Sequence, residues 1–520
     1  MKLYYLCVLR REVDMDKRKG ILNISVSVTL KIVTTALQIV VRRLLIESCG
    51  NEVNGLNALF LSIIGFLAVA ELGVGVAISF CMYKPIVEGN DGQVSALYHL
   101  FQRLYLLIGA IILLGGLMIA PFMRYFARDY ADLDVGLSTN FILMLVSVVL
   151  SYLFASKTAL INAYKNNYIT TAISSGGIVL QQVLQIIVLV QTGSYSTFLC
   201  CRIIAVLVQW GGSELVAFLK YRQITTQKAT LDEDTKHNLT RSVKAMFIHN
   251  VGSVMVNTVD SVVISACIGI VALGCYSNYS MIMEAMTGVI ILFFSSLTSI
   301  IGHLYVQQDR ETSQKICETM QVLNFCIGMV FYLGYYAIID DLIMVLFSPE
   351  LVDAGAVSLV VALNGFVQFM RRNALTFREA TGTFYYDRWK PLLEGACNVV
   401  LSVLLVHWFG VVGVIGATIV TNLLICHVIE PYMLYKHAFG EASMRYCFRT
   451  YGLVAVFLLG VAVMELIRVS GLRASILVLV NGSLSVLISG VICVLVIMLY
   501  KYRGVDIRIL LKKSSKNRKE

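Results

Sequence analysis

Long apolar runs dominate this chain and limit the folds open to it. The chain has 520 residues, of which 58% are hydrophobic and only 14% charged, whereas an average soluble domain carries about 25% charged residues. About 20 apolar residues in a helix cross the hydrocarbon of a bilayer, and runs of this kind recur along the sequence. We therefore predict a polytopic membrane protein.

The apolar runs predict about fourteen transmembrane helices and an all-α fold. Lipid offers the backbone no hydrogen bonds, so each segment must satisfy its own groups as a helix. The predicted spans are residues 21–43, 55–82, 103–123, 138–162, 169–190, 197–220, 243–268, 272–304, 320–346, 353–372, 391–409, 411–435, 449–467 and 474–500.

The distribution of basic residues predicts the orientation. With the N-terminus inside, 34 of the 42 Lys and Arg residues lie at cytoplasmic ends and six at outer ends. Positive charge concentrates in cytoplasmic loops, so both termini are predicted to be cytoplasmic. The net charge of +10 is explained by these helix ends, and nucleic acid is not an expected partner.

The thirteen Cys and seven His residues do not suggest a metal site or a disulfide framework. The Cys residues are odd in number and scattered through apolar runs, without a C-x-x-C pair, which is typical of small apolar filler. The His residues show no metalloprotease-like spacing.

Two glycine pairs indicate an internal repeat. Gly50 and Gly55 follow the first predicted span, and Gly269 and Gly274 follow the seventh, 219 residues later. A second landmark agrees, because Asn166 before span five and Asp387 before span eleven differ by 221. Two six-helix halves in parallel orientation are a transporter architecture. The predicted organisation is an N-terminal tail (1–20), an N-lobe (21–220), a linker (221–242), a C-lobe (243–435), two further helices (436–500) and a basic tail (501–520).

The segment 378–424 resembles the bacterial polysaccharide-export flippases of the Wzx type. Those proteins show an Arg-x-Ala-x-Gly loop, an Asp, a Pro, an Asn-x-x-x-Ser, a Gly-x-x-Gly turn and a Thr. The matching positions here are Arg378, Gly382, Asp387, Pro391, Asn398, Ser402, Gly410, Gly413 and Thr421. The segments around GNEVNGL and NTVDSVV are similar to helices two and seven of the same family.

The resemblance implies membership of the multidrug/oligosaccharidyl-lipid/polysaccharide (MOP) superfamily, with two lobes around a central cavity. It implies movement of an undecaprenyl-diphosphate-linked oligosaccharide from the inner to the outer leaflet of the bacterial cytoplasmic membrane. The expected partners are that lipid-linked oligosaccharide and membrane lipids, with a polysaccharide polymerase and chain-length proteins as further candidates. No cofactor is expected beyond a coupling proton or sodium ion.

Four basic residues in or near predicted spans are candidates for holding the diphosphate: Lys31, Arg42, Arg43 and Arg202. A charge at the bilayer centre costs about 2.5–3.5 kcal/mol and therefore needs a partner, and Arg offers bidentate geometry to phosphate. Two alternatives remain: Arg42 and Arg43 snorkel to the outer headgroups, or Arg202 pairs with a carboxylate.

Three carboxylates are candidates for cavity or coupling groups: Asp260, Glu71 and Glu284. Each either carries a coupling proton or cation, or fixes helix packing as a buried hydrogen-bonded group. Glu214 and Glu430 lie nearer cytoplasmic ends, and we expect them at the interface. Arg371 and Arg372 lie at the end of span ten. They either determine the orientation of the helix in the membrane or bind the diphosphate as it enters the protein.

Two other functions compete with the flippase hypothesis. One is a cation-coupled multidrug or metabolite exporter of the same superfamily. The other is a membrane polysaccharide polymerase or ligase. The second requires a sizeable outer loop with catalytic residues, and the predicted outer loops run to only about fifteen residues. No enzymatic activity is therefore expected.

The orientation can be tested with reporter fusions. Because basic residues mark the cytoplasmic side, GFP fused after residue 520 should fluoresce and alkaline phosphatase fused there should be inactive. Alkaline phosphatase inserted in the acidic loop 127–138 should be active. The opposite pattern at both sites would contradict the predicted topology.

Overall fold

The computed structural model describes residues 29–71, 74–129, 136–227, 229–231, 254, 258–307, 309–353, 356–383, 386–387, 389–441 and 443–502. None of these residues lies in a β-strand. The chain divides into two compact units, Met1–Asn250 and Val251–Glu520. The all-α fold class is confirmed. The tails 1–20 and 503–520, and most of the predicted linker 221–242, lie outside the described residues.

The N-terminal unit contains six helices in the described residues. They are α1 (29–49), α2 (Asn51–Leu67, continued by a 3₁₀ turn Ala68–Glu71 and by Val74–Val87), α3 (Asp91–Ile119), α4 (Leu137–Ala163), α5 (Asn167–Thr192) and α6 (Tyr195–Thr226). In this unit α6 packs against α4 and α5, and α4 packs against α3.

The C-terminal unit contains eight helices in the described residues. They are α7 (Thr258–Cys267), α8 (Ile270–Gln307), α9 (Arg310–Leu346), α10 (Ala356–Thr381), α11 (390–409), α12 (411–439), α13 (Arg445–Ile467) and α14 (Ala474–Tyr502). Here α10 packs against both α8 and α9, and the additional helix α14 packs along α9.

The helices correspond one to one with the predicted spans, but several extend further. The helix α3 begins at Asp91 and α9 at Arg310, where residues 103 and 320 were predicted. Hydropathy detects only the apolar part of a helix, whereas the polar first turns continue outside the hydrocarbon. Eight continuous helical segments of the described residues are long and apolar enough to cross a membrane, and one of them, Lys390–Phe439, comprises both α11 and α12.

Matching helix caps support the internal repeat. The side chain of Asn90 accepts a hydrogen bond from the Gln93 amide at the start of α3, at 3.1 Å. Asp309, 219 residues later, accepts one from the Thr312 amide at the start of α9, also at 3.1 Å. Such caps satisfy backbone donors that a helix leaves free at its N-terminus. The hydrogen bonds with Thr312 lower the pKa of the Asp309 carboxyl.

Glycines with positive φ form turns at matching positions. Gly50 (φ 89°) separates α1 from α2, and Gly269 (φ 144°) separates α7 from α8. Gly193 (φ 60°) separates α5 from α6, and Gly410 (φ 56°) separates α11 from α12. Residues with a Cβ rarely adopt these conformations. Each of these turns therefore favours glycine, and the requirement occurs at corresponding positions in both units.

The Gly-x-x-Gly turn between α11 and α12 has two different requirements. Gly410 combines φ 56° with ψ −136°, a region available almost only to glycine. A Cβ at Gly413 would clash with the Leu405 carbonyl oxygen, whereas one at Gly416 would meet no atom within 4 Å.

These environments predict different outcomes for three alanine substitutions. Gly410→Ala should destabilise the protein by about 1–3 kcal/mol through backbone strain, and Gly413→Ala should destabilise it through the steric clash. Gly416→Ala is the matched control and should be neutral or stabilising by up to about 1 kcal/mol. Thermal unfolding of the purified proteins in one detergent gives the comparison. Equal midpoints for Gly410→Ala and Gly416→Ala would show that this turn is not strained.

Candidate functional site

The N-terminal unit encloses a polar cavity of about 270 Å³. Helices α1, α2, α5 and α6 all contribute to its wall. Its lining includes two arginines and six amide side chains: Arg42, Arg202, Gln38, Asn54, Asn57, Gln181, Gln182 and Gln185. None of the described residues that line it is an Asp or a Glu. The cavity is therefore cationic.

Hydrogen bonds hold the amide groups of this cavity in place. The Gln182 amide donates to the Thr34 carbonyl oxygen at 2.9 Å, joining α5 to α1. The Gln185 amide donates to the Phe198 carbonyl oxygen at 3.3 Å, joining α5 to α6. Asn57 accepts a hydrogen bond from the Tyr195 hydroxyl at 3.3 Å. These contacts orient part of each amide and fix the helices that carry the arginines.

The four predicted diphosphate ligands do not all meet in this cavity. Arg42 and Arg202 line it. The side chain of Arg43 is 52% exposed and pairs with Glu47 at 2.8 Å. Lys31 is exposed; it precedes Gln38 by seven residues and so lies on the same face of α1, about 10 Å along the helix. The roles predicted for all four residues remain predictions.

The C-terminal unit encloses a larger cavity of about 520 Å³ between α7, α8, α9, α10 and α12. Both predicted carboxylates of this unit, Asp260 and Glu284, line it. Asp260 is buried and accepts hydrogen bonds from the Thr418 hydroxyl at 3.2 and 3.1 Å. The Asn398 amide in turn donates to the Thr418 oxygen at 2.8 Å. Helices α7, α11 and α12 are thus joined at one carboxylate.

A buried ionic network lies at one side of this cavity. Arg371, which lines the cavity, forms a bidentate contact with Glu430 at 2.8–2.9 Å. Its Nη1 atom lies 3.3 Å from Glu394. Lys390 donates to Glu430 at 2.6 Å and lies 2.9 Å from Glu394. The network joins α10, α11 and α12.

Three cations and three anions balance in this network. Arg378 pairs with Asp387 and lies 3.7 Å from Glu430, so the six charges sum to zero. Buried charges are tolerated when each has a close partner and further hydrogen bonds. The pair Arg378 and Asp387 also gives a physical reason for two positions of the motif quoted above.

Glu430, for which an interfacial position is predicted, lies buried within this network. Its side chain is 0% exposed, because three cations surround it and compensate the cost of removing it from water. A π-helical segment, Asn422–Cys426, precedes it in α12, and π-turns often occur at functional sites. The Asn422 oxygen accepts a further hydrogen bond from Arg371 at 3.0 Å. Periodicity at 3.6 residues per turn could not place these side chains.

Glu71 has a defined packing role. It accepts hydrogen bonds from the Tyr105 hydroxyl at 2.9 Å and the Tyr152 hydroxyl at 2.8 Å, which joins α2 to α3 and α4. A Cβ at Gly75 would clash with the Tyr105 hydroxyl. These contacts favour the packing alternative for Glu71.

One ionic contact of the N-terminal unit was not foreseen. The buried Lys157 on α4 pairs with Glu214 on α6 and lies 5.9 Å from the ring centroid of Trp210. The sequence signal was available, because a Lys within an apolar helix needs a partner. Glu214 was expected at the interface, and its half-exposed side chain is compatible with that position.

Comparison with known proteins identifies the fold. No protein-family profile and no curated protein matches the sequence. Among solved structures, the chain is similar to an inward-facing multidrug resistance MATE family transporter of the MOP superfamily (TM-score 0.61, 14% identity, 82% of this chain and 98% of that chain). It is also similar to the lipid II flippase MurJ in an inward closed conformation (TM-score 0.57, 12% identity, 92% and 99%). A third is a mutant of the Vibrio cholerae MATE transporter VcmN (TM-score 0.53, 14% identity, 83% and 98%). The chain therefore shares the helical fold of these solved proteins.

The ionic network predicts a strong asymmetry between single and paired substitutions. Arg371→Met leaves Glu430 buried with one partner fewer and should destabilise the protein by about 3–5 kcal/mol. Arg371→Met combined with Glu430→Met leaves Lys390 with Glu394 and Arg378 with Asp387, so most of the loss should be recovered. Thermal unfolding in detergent measures both variants.

The matched control for this series is Arg445→Met, since Arg445 is exposed at the start of α13. Its effect should stay within about 0.5 kcal/mol. If the double variant is less stable than Arg371→Met alone, the network is not a set of compensating pairs.

Proposed function

We propose that the protein is a flippase that moves an undecaprenyl-diphosphate-linked oligosaccharide from the inner to the outer leaflet of the bacterial cytoplasmic membrane. It would serve the synthesis of surface polysaccharide, such as O-antigen, capsule or exopolysaccharide. The observation that carries the proposal is the cationic cavity of the N-terminal unit, with Arg42 and Arg202 in its wall.

The diphosphate is the part of the substrate that hydrocarbon opposes most strongly. Two guanidinium groups in a cavity without a lining carboxylate offer compensating charge and forked hydrogen bonds to phosphate oxygens. Hydrogen bonds to charged groups contribute about 1.5–3 kcal/mol each. Membrane potential also acts on the charged complex, at about 2.3 kcal/mol per charge for 100 mV.

The amide groups suit the sugar part of the same substrate. An amide both donates and accepts hydrogen bonds, as a sugar hydroxyl does. Gln38, Gln181 and Asn57 lie in the same cavity wall as the two arginines. A site of this composition can hold an anion and a neutral polar group together.

The second cavity supplies candidates for ion coupling. Asp260 and Glu284 line it, and the Thr418 hydroxyl contacts Asp260. Carboxylate and hydroxyl oxygens can take up a proton or hold a sodium ion. Uptake and release at Asp260 would then accompany alternating access of the transporter. The lipid tail would remain in the bilayer throughout.

A cation-coupled multidrug or metabolite exporter is the second candidate. The carboxylates of the larger cavity favour it, because they would attract a cationic compound. The amide-rich cationic cavity favours the flippase, since a cationic drug gains nothing from Arg42 and Arg202. The enzyme alternative, a polymerase or ligase, draws no support from the lining of either cavity.

Substitution of the two cavity arginines tests the flippase proposal. Arg42→Gln combined with Arg202→Gln should lower transport of a polyprenyl-diphosphate oligosaccharide at least about tenfold, because two charge-assisted contacts are lost. The assay reconstitutes the full chain in liposomes and measures the appearance of the sugar on the opposite leaflet. Surface polysaccharide in cells gives a second measurement.

The matched control is Arg124→Gln, because Arg124 is an exposed arginine of the same unit whose guanidinium contacts Tyr125. It should transport normally. Normal transport by the double variant would contradict the proposal. Export of a cationic dye by the wild type, without transport of the lipid-linked sugar, would favour the exporter instead.

A further inference from the structure

Two consecutive arginines line the cavity of the C-terminal unit, and their surroundings differ. Arg371 is held by Glu430, Glu394 and Asn422. No described residue forms an ion pair within 4.0 Å, or a side-chain hydrogen bond, with Arg372. Arg371 is therefore ion-paired within the protein, whereas Arg372 has no ion-pair partner among the described residues.

Arg372 ends a polar stripe along α10. Gln368 and Asn364 line the same cavity four and eight residues earlier, so the three side chains lie on one face over about 12 Å. The Gln368 amide donates to the Asn364 oxygen at 3.1 Å. Tyr332 of α9 also lines the cavity, and its hydroxyl lies 3.5 Å from that of Thr287.

Charged groups of both signs line this cavity. The charged groups that act most strongly on Arg372 are Arg371 and Glu379. Asp260 and Glu284 instead act on Tyr276, which contributes to the wall from α8. Neither Glu379 nor Glu430, the carboxylates that attract Arg372, lies within ion-pair distance of its guanidinium.

We propose that Arg372 binds an oxyanion of the transported molecule, a carboxylate or a phosphate, while the stripe of α10 contacts neighbouring hydroxyl groups. A guanidinium without an ion-pair partner is costly in a membrane protein, and a forked contact with an oxyanion compensates its charge. The identity of the ligand as part of a glycan substrate rests on the proposed function; the oxyanion site itself does not.

Two sources can supply this oxyanion, an acidic sugar of the glycan or the phosphate of the lipid carrier. Saturation-transfer NMR with the full chain in nanodiscs compares methyl galacturonide with methyl galactoside, which differ only in the carboxylate. Phosphorus-31 line broadening of inorganic pyrophosphate gives the second arm. Both methods detect weak binding.

We expect the wild type to bind at least one anionic probe. Arg372→Gln should weaken that binding roughly tenfold or more, the loss expected for one or two charge-assisted hydrogen bonds. Any contact with the galactoside should be unchanged. Arg372→Lys keeps the charge but loses the fork, so its affinity should be intermediate. Arg124→Gln is the control from the other unit and should bind as the wild type does.

The outcomes separate the two sources and the two proposals. An Arg372-dependent uronide signal identifies an acidic sugar, and an Arg372-dependent pyrophosphate signal identifies the carrier phosphate. Equal binding by the wild type and both Arg372 variants, or no binding of either anion, overturns the oxyanion site. If gel filtration shows that Arg372→Gln does not fold, the binding measurements on Arg372→Lys and Gln368→Leu test the oxyanion site instead. Oxyanion binding that persists when the liposome assay shows no sugar transport would contradict the flippase proposal alone.

Discussion

The cost of placing charge inside a membrane-spanning helical bundle is the constraint on which the rest of this structure depends. The described helices bury side chains such as Lys390 and Glu430 almost completely, and each is stable there because an opposite charge lies within hydrogen-bonding distance. Where the described residues supply no such partner, as at Arg372, a ligand is the physical alternative. Arg42 and Arg202 lie in a cavity wall that contains amides and no carboxylate among the described residues.

Much of the backbone could be predicted from the sequence, because the bilayer imposes a simple rule on it. Fourteen apolar runs correspond to fourteen helices, and the glycine spacing revealed the repeat because Gly50 and Gly269 occupy turns with positive φ. Helix ends were less accurate. The caps at Asn90 and Asp309 lie well outside the apolar runs, and hydropathy carries no information about a helix that continues into water.

The candidate sites were only partly predictable, because the sequence does not show how each helix is rotated. Arg42 and Arg43 are adjacent, yet only Arg42 lies in the cavity wall, since one residue turns the helix by about 100°. Asp260 and Glu284 could be found because a carboxylate within an apolar helix is energetically costly and therefore indicates a functional or packing role. The position of Glu430 was missed because a π-helical segment shifts the register of α12 just before it.

The two units share a scaffold but carry different chemistry. A shift of 219 residues relates the caps of α3 and α9, but the same shift relates Arg371 to Tyr152 and Glu430 to Gly211. Tyr152 contributes a neutral hydrogen bond to Glu71, whereas Arg371 belongs to a network of six charges. Duplicated backbone landmarks therefore did not preserve duplicated side chains. A repeat whose turns are constrained by glycine geometry can change its buried polar groups as long as each new charge obtains a partner. The outcome is one unit whose cavity has two arginines and no carboxylate in its described lining, and another whose cavity is lined by both arginines and carboxylates.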